Sequence, residues 1–242
     1  MQPIVWIVII SALGPIIGSF IGVMKKPSDI FMYNMLSFAA GVMLAISFLE
    51  LIPESIHLSS VQMCVFGIII GSIIMYILDK SLPHIHPALC KQEQGCNLKR
   101  TSLYLMIGLF LHNFPEGMAI AIGAVSDMKI SLAIALAIAI QNIPEGICTS
   151  TPYYHCTKQK WKTFWISSST AIPILLGFTL AHYLYQNIPL SLVGVIIGAT
   201  AGIMIYISGD ELIPTSCCKM TNHTTIFSFM IGVVLVVLLG LI

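Results

Sequence analysis

Two short segments of this sequence carry residue types that bind cations. Residues 112–117 read HNFPEG and residues 141–146 read QNIPEG. The first and fifth positions of each segment are four residues apart, so on a helix they share one face. The proline removes a backbone hydrogen bond and leaves a carbonyl oxygen without its usual donor. The polar members of the two segments, candidate ligands for a divalent cation, are His112, Asn113, Glu116, Gln141, Asn142 and Glu145.

The composition places these segments in a membrane. Of the 242 residues, 57% are hydrophobic and only 9% are charged, and the mean hydropathy is +0.94. A soluble domain carries about 25% charged residues, so this chain lacks the polar surface that a water-exposed globule needs. That composition excludes a cytosolic enzyme and a secreted disulfide scaffold. The formal net charge of +1 argues against a nucleic-acid partner, which would require a basic surplus.

Apolar stretches predict an all-α integral membrane protein with eight transmembrane helices. The predicted spans are residues 4–23, 30–52, 61–78, 102–124, 131–150, 163–185, 190–212 and 225–242. A β-barrel would show alternation over segments of about ten residues, which these runs of Ile, Leu, Ala and Val lack. The connections are short apart from a loop over 79–100, so we expect residues 1–242 to form a single polytopic domain in the lipid bilayer.

The distribution of basic residues predicts the orientation. Of the eleven Lys and Arg residues, all but Lys129 lie in connections that follow the first, third, fifth and seventh spans. Basic connections face the cytoplasm, so both termini are predicted to be extracytoplasmic. The expected location is the plasma membrane or an organelle membrane.

Internal repeats predict how the helices are related. Besides the two segments above, residues 40–53 resemble residues 201–214, including AGVM/AGIM and ELIP in both. The paired spans run in opposite directions in the predicted topology, so spans one to three repeat inverted in spans six to eight, and spans four and five form a pair. Such inverted repeats are common in transporters, which hold substrate near the bilayer midplane.

The inversion places acids at both ends of a possible cation path. Glu50 and Glu54 are predicted at the outer mouth, and Asp210 and Glu211 at the inner mouth. The alternative is that acids at helix ends simply reach water.

The depth of the two motifs favours bound cations. His112 and Gln141 each lie about eleven residues into their spans, or ~16 Å deep in a core ~30 Å thick. A carboxylate at that depth costs several kcal/mol, and the sequence offers no Lys or Arg at matching depth. Protonation, a water-filled cavity or a bound cation remain as remedies. Imidazole together with carboxylates suits zinc, iron and manganese.

The two motifs, their order, the eight-span topology and the repeated 40–53 segment resemble the ZIP (Zrt/Irt-like) divalent metal transporters. The resemblance implies passage of zinc, and of iron, manganese or cadmium, toward the cytoplasm without ATP; the metal is the substrate, and no prosthetic group is expected. It implies a primary site of His112, Glu116, Gln141 and Glu145, with Met43 as a further ligand. Asn113 and Asn142 would face a second subsite that shares both glutamates. A homodimer and a motion of one helix bundle against another are also implied.

Two positions depart from the pattern of that family. Many members have His where this chain has Gln141, and an amide binds zinc more weakly, which argues against strict zinc selectivity. Many also have Glu within an Ala-Glu-Pro stretch of span six, where this chain has Ile172. We therefore predict one well-formed metal site and a weak or absent second subsite.

Two further hypotheses concern the loop and the class of protein. His84 and His86 lie in the predicted cytoplasmic loop and could capture metal, although the spacing is looser than in a zinc knuckle. The alternatives to transport are an intramembrane zinc-dependent hydrolase and a metal-sensing receptor. The hydrolase is disfavoured because the sequence lacks His-Glu-x-x-His.

Overall fold

The computed structural model describes residues 2–24, 27–81, 113–124, 126–217 and 223–240, and every regular element in them is helical. This confirms the all-α class. In chain order the helices are α1 (Gln2–Met24), α2 (Asp29–Ile46), α3 (Ile52–Leu58), α4 (Val61–Ser81), α5 (residues 113–120), α6 (Met128–Thr157), α7 (Lys160–Ser168), α8 (Ile172–Asn187), α9 (Leu190–Ile207), α10 (Ile213–Cys217) and α11 (Thr224–Leu239).

Six helical stretches of the described chain are long and apolar enough to cross a membrane, and Thr224–Leu239 forms a shorter apolar helix. Most of the predicted fourth span lies outside the described residues, together with His112, His84 and His86. The count of eight spans and the position of the termini therefore stay predictions. The start of the predicted 79–100 loop is corrected, because α4 continues to Ser81.

Helix α6 is longer than the predicted span of 131–150. It begins after Asp127, whose side chain accepts a hydrogen bond from the backbone N–H of Lys129 at 2.9 Å. It ends at Lys158, which adopts a left-handed conformation with φ of 53° and donates its N–H to the carbonyl of Tyr154. Hydropathy alone missed both ends because capping residues are polar and lie beyond the apolar run.

Two π-helical turns interrupt the second and seventh predicted spans. Ser47–Leu51 joins α2 to α3, and Ser208–Leu212 joins α9 to α10. The residue that follows each turn, Ile52 or Ile213, donates its N–H to the carbonyl of the serine five positions earlier, at the start of the turn. The next residue, Pro53 or Pro214, has no N–H to donate. A π-bulge often occurs at a functional site, and here the repeated sequence segments form the same one twice.

Close glycine contacts hold the helices together in two repeated arrangements. Helix α2 packs on α11, where Gly41 lies against the carbonyl of Phe229, and α9 packs on α4, where Gly202 lies against the carbonyl of Ile68. Residue numbers in the second contact differ from those in the first by the same amount, since 202 − 41 and 229 − 68 are both 161. The repeat seen in the sequence is therefore also a repeat of helix packing.

The glycines of α1 pack inside the protomer. Gly14 lies against the carbonyl of Ala139, Gly18 against that of Ile143, and Gly22 against the hydroxyl of Ser150. All three partners belong to α6, so the small residues let the backbones of α1 and α6 approach closely.

Large apolar side chains cover the outside of the described helices. On α4, Phe66, Ile69, Ile73 and Ile77 are all more than half exposed. Exposure on this scale would be unusual in water, whereas a bilayer is as apolar as these side chains. The structure thus agrees with the membrane class that the composition predicts.

Candidate metal-binding site

The polar residues of the two motifs that the structure describes are buried deep between helices. Glu116, Gln141 and Asn142 are 0% exposed, Asn113 is 1% exposed and Glu145 is 3% exposed. Asn113 and Glu116 lie on α5, and the other three residues lie on α6. The described polar residues of both motifs therefore lie in the interior of the protein.

Glu116 joins the two motifs directly. Its Oε1 accepts a hydrogen bond from Nε2 of Gln141 at 2.5 Å, and its Oε2 accepts one from Nδ2 of Asn142 at 2.7 Å. Hydrogen bonds to an ionised acceptor are shorter and about twice as strong as neutral ones. The carboxylate of the first motif is thus held by two neighbouring amides of the second.

The amide groups leave their oxygen atoms facing no donor. Oε1 of Gln141, Oδ1 of Asn142 and Oδ1 of Asn113 are all buried, and each accepts no hydrogen bond from the described part of the chain. An unsatisfied buried acceptor costs about 1–3 kcal/mol. The oxygens of Gln141 and Asn142 belong to amides that contact Glu116, and together with that carboxylate they are a donor set for a cation, because oxygen ligands are what hard divalent ions prefer.

Asn113 is turned toward the sixth predicted span. Its Nδ2 donates to the carbonyl of Thr170 at 2.7 Å, in the 3₁₀ turn Ser169–Ala171. Ile172 follows at the start of α8, and its side chain is 48% exposed. The start of this span therefore offers Asn113 the backbone carbonyl of Thr170, while the side chain of Ile172 faces outward.

Close packing fixes the backbone of both motifs. Gly117 lies against the carbonyl of Ile174 on α8, and Gly146 lies against the carbonyl of Pro15 on α1. The reverse contacts also match, because Gly177 meets the carbonyl of Phe114 just as Gly18 meets that of Ile143. No side chain larger than hydrogen fits at these glycines, which explains why each motif ends in Glu-Gly.

A group of buried hydroxyls continues from the second motif along α6. Thr149 lies one turn after Glu145, and its Oγ1 is 2.5 Å from Oγ of Ser167, which accepts a hydrogen bond from Ser19 at 2.9 Å. These three residues, on α6, α7 and α1, were missed by sequence reasoning. Serine and threonine in helices usually bond their own backbone, so nothing in the sequence distinguishes the ones that link helices.

Met43 is fully buried in the apolar core, and its carbonyl accepts a hydrogen bond from Oγ of Ser47 at 2.8 Å. The role of its sulfur as a ligand stays a prediction. Among the described residues, no three side chains of His, Cys, Asp or Glu come together. The described part of the site is therefore built from carboxylates and amides.

The acids of the predicted path occupy different settings. Glu50, in the first π turn, lines an open cavity of about 310 Å³ together with Asp127 and Lys129. A second gap, too small to hold a water molecule, is lined by Glu50, Ala133 and Ala137, the last of which is one turn before Gln141 on α6.

The remaining path acids lie apart from this cavity. Glu54 lies beside His57 instead, with 3.9 Å between Oε1 and Nδ1, and the His57 side chain is 80% exposed. Asp210 and Glu211 are half-buried in the second π turn. Asp127 was missed as a cavity residue because the sequence shows it only as a helix cap.

Comparison with known proteins defines the class to which this fold and site belong. The family described as ZIP zinc transporter matches residues 80–240, which include both motifs. The chain therefore belongs to the ZIP family, and it is a transporter rather than an enzyme.

Individual relatives carry the same description. The chain is 34% identical over 206 residues to proteins named zinc transporter ZupT from Salmonella heidelberg (strain SL476) and Salmonella newport (strain SL254). Each alignment covers 82% of this chain and 80% of the relative. The resemblance seen in the sequence motifs is confirmed.

Proposed function

We propose that this protein carries divalent transition-metal ions across a membrane toward the cytoplasm, zinc foremost and also iron, manganese or cadmium. The family and the relatives named as zinc transporters support the activity. The observation that supports the site is the contact of Glu116 with Gln141 and Asn142 at the buried meeting point of α5 and α6. Polar and charged side chains are costly inside a membrane protein, and the binding of a passing cation explains why a carboxylate and two amides are placed there.

The proposed primary site consists of His112, Glu116, Gln141 and Glu145, with Met43 as a further ligand. Glu145 lies four residues after Gln141 on α6, so both share the helix face that meets Glu116. Asn113 and Asn142 belong to the second subsite, which we infer to be weak. The neighbouring Ile172 supports this inference, because its side chain is apolar and 48% exposed and offers no ligand.

The proposed topology has eight spans, with inverted halves and both termini outside. The recurrence of the glycine contacts and of the π turn in the two halves supports it. In this topology Glu50 and the cavity above Ala133 face outward, and Asp210 and Glu211 face the cytoplasm. A hydrated cation enters through the Glu50 cavity, loses water and binds between α5 and α6. It leaves toward the second π turn.

Two further parts of the proposal concern the assembly of the protein and its predicted cytoplasmic loop. A homodimer in the bilayer and metal capture by His84 and His86 rest on the family resemblance. The hydrolase and the receptor are not retained, because the chain belongs to a family of transporters.

The test is metal uptake into proteoliposomes that contain the purified protein and no nucleotide. We expect saturable zinc uptake, abolished by Glu116→Ala and by Glu145→Gln. Glu54→Gln is the matched control, since it makes the same change of acid to amide at a residue paired with exposed His57. Equal uptake by wild type and Glu145→Gln, or equal losses in Glu145→Gln and Glu54→Gln at the same expression, would contradict the proposed site.

A further inference from the structure

The side-chain amides of Gln141 and Asn142 hold Glu116 in a way that opposes the binding of a cation. Both oxygens of Glu116 face amide N–H groups, at 2.5 and 2.7 Å. A zinc ion binds a carboxylate oxygen at about 2.0–2.2 Å. The amide hydrogens carry partial positive charge beside both carboxylate oxygens, so they repel a cation that approaches Glu116 from the side of α6.

The same two amides also carry the oxygens that a cation would use. Oε1 of Gln141 and Oδ1 of Asn142 are buried and accept no hydrogen bond from any described residue. The terminal torsion of an amide side chain is broad and roughly two-fold, so a half-turn exchanges the N–H₂ group and the oxygen within nearly the same volume. Each amide can thus present either a donor or an acceptor to the centre of the site.

We propose that Gln141 and Asn142 form a reversible clasp on Glu116: in the empty site their N–H₂ groups hold the carboxylate, and in the loaded site both amides turn these groups away, so that Gln141 presents its oxygen to the metal of the primary site. This proposal rests on the proposed transport function and describes how its site exchanges cargo. The clasp takes the place of the ion in the empty protein, because two charge-assisted hydrogen bonds stabilise a carboxylate that would otherwise be buried with fewer donors.

The clasp explains why an amide suits position 141. A histidine at this position would hold its donor and its acceptor on opposite sides of a rigid ring. Glutamine carries both on one rotating group, so it can release Glu116 and bind the metal without a large movement of α6. Gln141 is therefore both a ligand and a positioning residue for Glu116.

The test measures the distance between the clasp and the carboxylate with and without metal. Protein in lipid is labelled with carbon-13 in the glutamate carboxyl groups and nitrogen-15 in the glutamine side-chain amides, and the carbon–nitrogen dipolar coupling is read by solid-state NMR. The Glu116→Met spectrum is subtracted, since that variant keeps an unbranched side chain of similar size and removes the labelled carboxyl without adding a labelled amide. The subtraction also removes the background from Glu93, which lies between Gln92 and Gln94.

We expect a coupling in the metal-free protein that weakens when the protein is saturated with Cd²⁺, because the half-turn moves the amide nitrogen away from the Glu116 carboxyl. A coupling of unchanged size with bound Cd²⁺, or no coupling in the metal-free protein, would overturn the clasp while metal uptake by proteoliposomes still supported transport. Failure of Cd²⁺ to bind would overturn the clasp as well, and the loss of uptake in the same preparation would show that the proposed function had failed with it.

A second measurement uses a variant that keeps the ligand oxygen and loses the donor. Gln141→Glu sets a carboxylate against Glu116, so we expect a lower Tm than wild type without metal and a larger rise in Tm with Cd²⁺. Gln62→Glu, at the exposed start of α4, makes the same change away from the site and should match wild type. Equal metal-induced shifts in Gln141→Glu and wild type would overturn the donor role of Gln141.

Discussion

Ser47 and Ser208 occupy equivalent places in two π turns that lie 161 residues apart in the chain. Each serine hydroxyl donates to the carbonyl four residues earlier at 2.8 Å, and the serine's own carbonyl accepts the N–H of the residue five positions later. A proline follows that N–H in both turns. The extra residue of a π turn rotates everything after it relative to a regular helix, and in the first turn it presents Glu50 to the cavity that it lines with Asp127 and Lys129.

Replacement of the proline should therefore change transport without unfolding the protein. In Pro53→Ala the new N–H can donate to the carbonyl of Leu49, which favours a regular helix in place of the π turn. We expect metal uptake to fall several-fold because Glu50 turns away from the cavity, while Tm stays the same or rises. Uptake by proteoliposomes and thermal unfolding would be measured together.

The control for this prediction is Pro189→Ala. Pro189 is an exposed helix cap at the start of α9 and adjoins no π turn. Unchanged uptake in Pro53→Ala, or an equal loss in Pro189→Ala, would contradict the role given to the π turn.

The glycine of each motif should tolerate no side chain. A Cβ on Gly117 would meet the backbone of Ile174 and Phe178, and one on Gly146 would meet that of Pro15 and Ser19 at 2.5 and 2.8 Å. Overpacking of this kind costs about 1–3 kcal/mol, so Gly117→Ala and Gly146→Ala should each lower the free energy of unfolding by that amount.

Gly209→Ala provides the matched control, because a Cβ there would meet nothing within 4 Å. Alanine is favoured over glycine in a helix by about 0.5–1 kcal/mol, so this variant should be neutral or slightly stabilised. Unfolding by denaturant in detergent would rank the three variants. A Gly146→Ala protein as stable as Gly209→Ala would rule out the close approach of α1 to α6.

The linked hydroxyls of Ser19 and Ser167 should couple α1 to α7. Ser19→Ala and Ser167→Ala each remove one end of the same buried hydrogen bond. In a double-mutant cycle we expect the double variant to lose less stability than the two single variants added together. The difference should be about 0.6 kcal/mol, the average for side-chain hydrogen bonds in a membrane protein.

Ser169 offers a comparison for that cycle, since its hydroxyl bonds the nearby carbonyl of Ile166 rather than another helix. Ser19→Ala combined with Ser169→Ala should be additive. Coupling of the same size in both cycles would mean that the effect spreads through the helix backbone and does not come from the hydroxyl pair.

The features that the sequence predicted well are those with a strong physical signal. A bilayer requires about 20 apolar residues per helix, so six of the spans could be predicted from hydropathy and agree with helices of the structure. The position of Glu116 and Glu145 within their apolar stretches predicted that both carboxylates lie deep in the protein, and both are buried.

Other features have no sequence signal. The bond from Asn113 goes to the backbone of Thr170, and any residue type supplies a carbonyl there. The π turns depend on which backbone hydrogen bonds form before Pro53 and Pro214. The sequence does not show this, because a proline in a helix equally predicts an ordinary kink. The contacts of Gln141 and Asn142 with Glu116 depend on how α6 is rotated relative to α5. The spacing of residues within each motif does not determine that rotation.

The residue at position 141 should set the choice among metals. Gln141→His replaces an amide oxygen with an imidazole nitrogen, which binds zinc more strongly than an amide and suits zinc better than manganese. The variant also removes the amide that holds Glu116 through its N–H₂ group. In uptake assays with zinc and manganese in competition, we expect Gln141→His to shift selectivity toward zinc by a factor of about ten, which corresponds to about 1.4 kcal/mol. Gln159→His introduces the same group at an exposed position before α7 and should leave selectivity unchanged. A Gln141→His protein with the selectivity of wild type would show that residue 141 does not contact the metal as it passes.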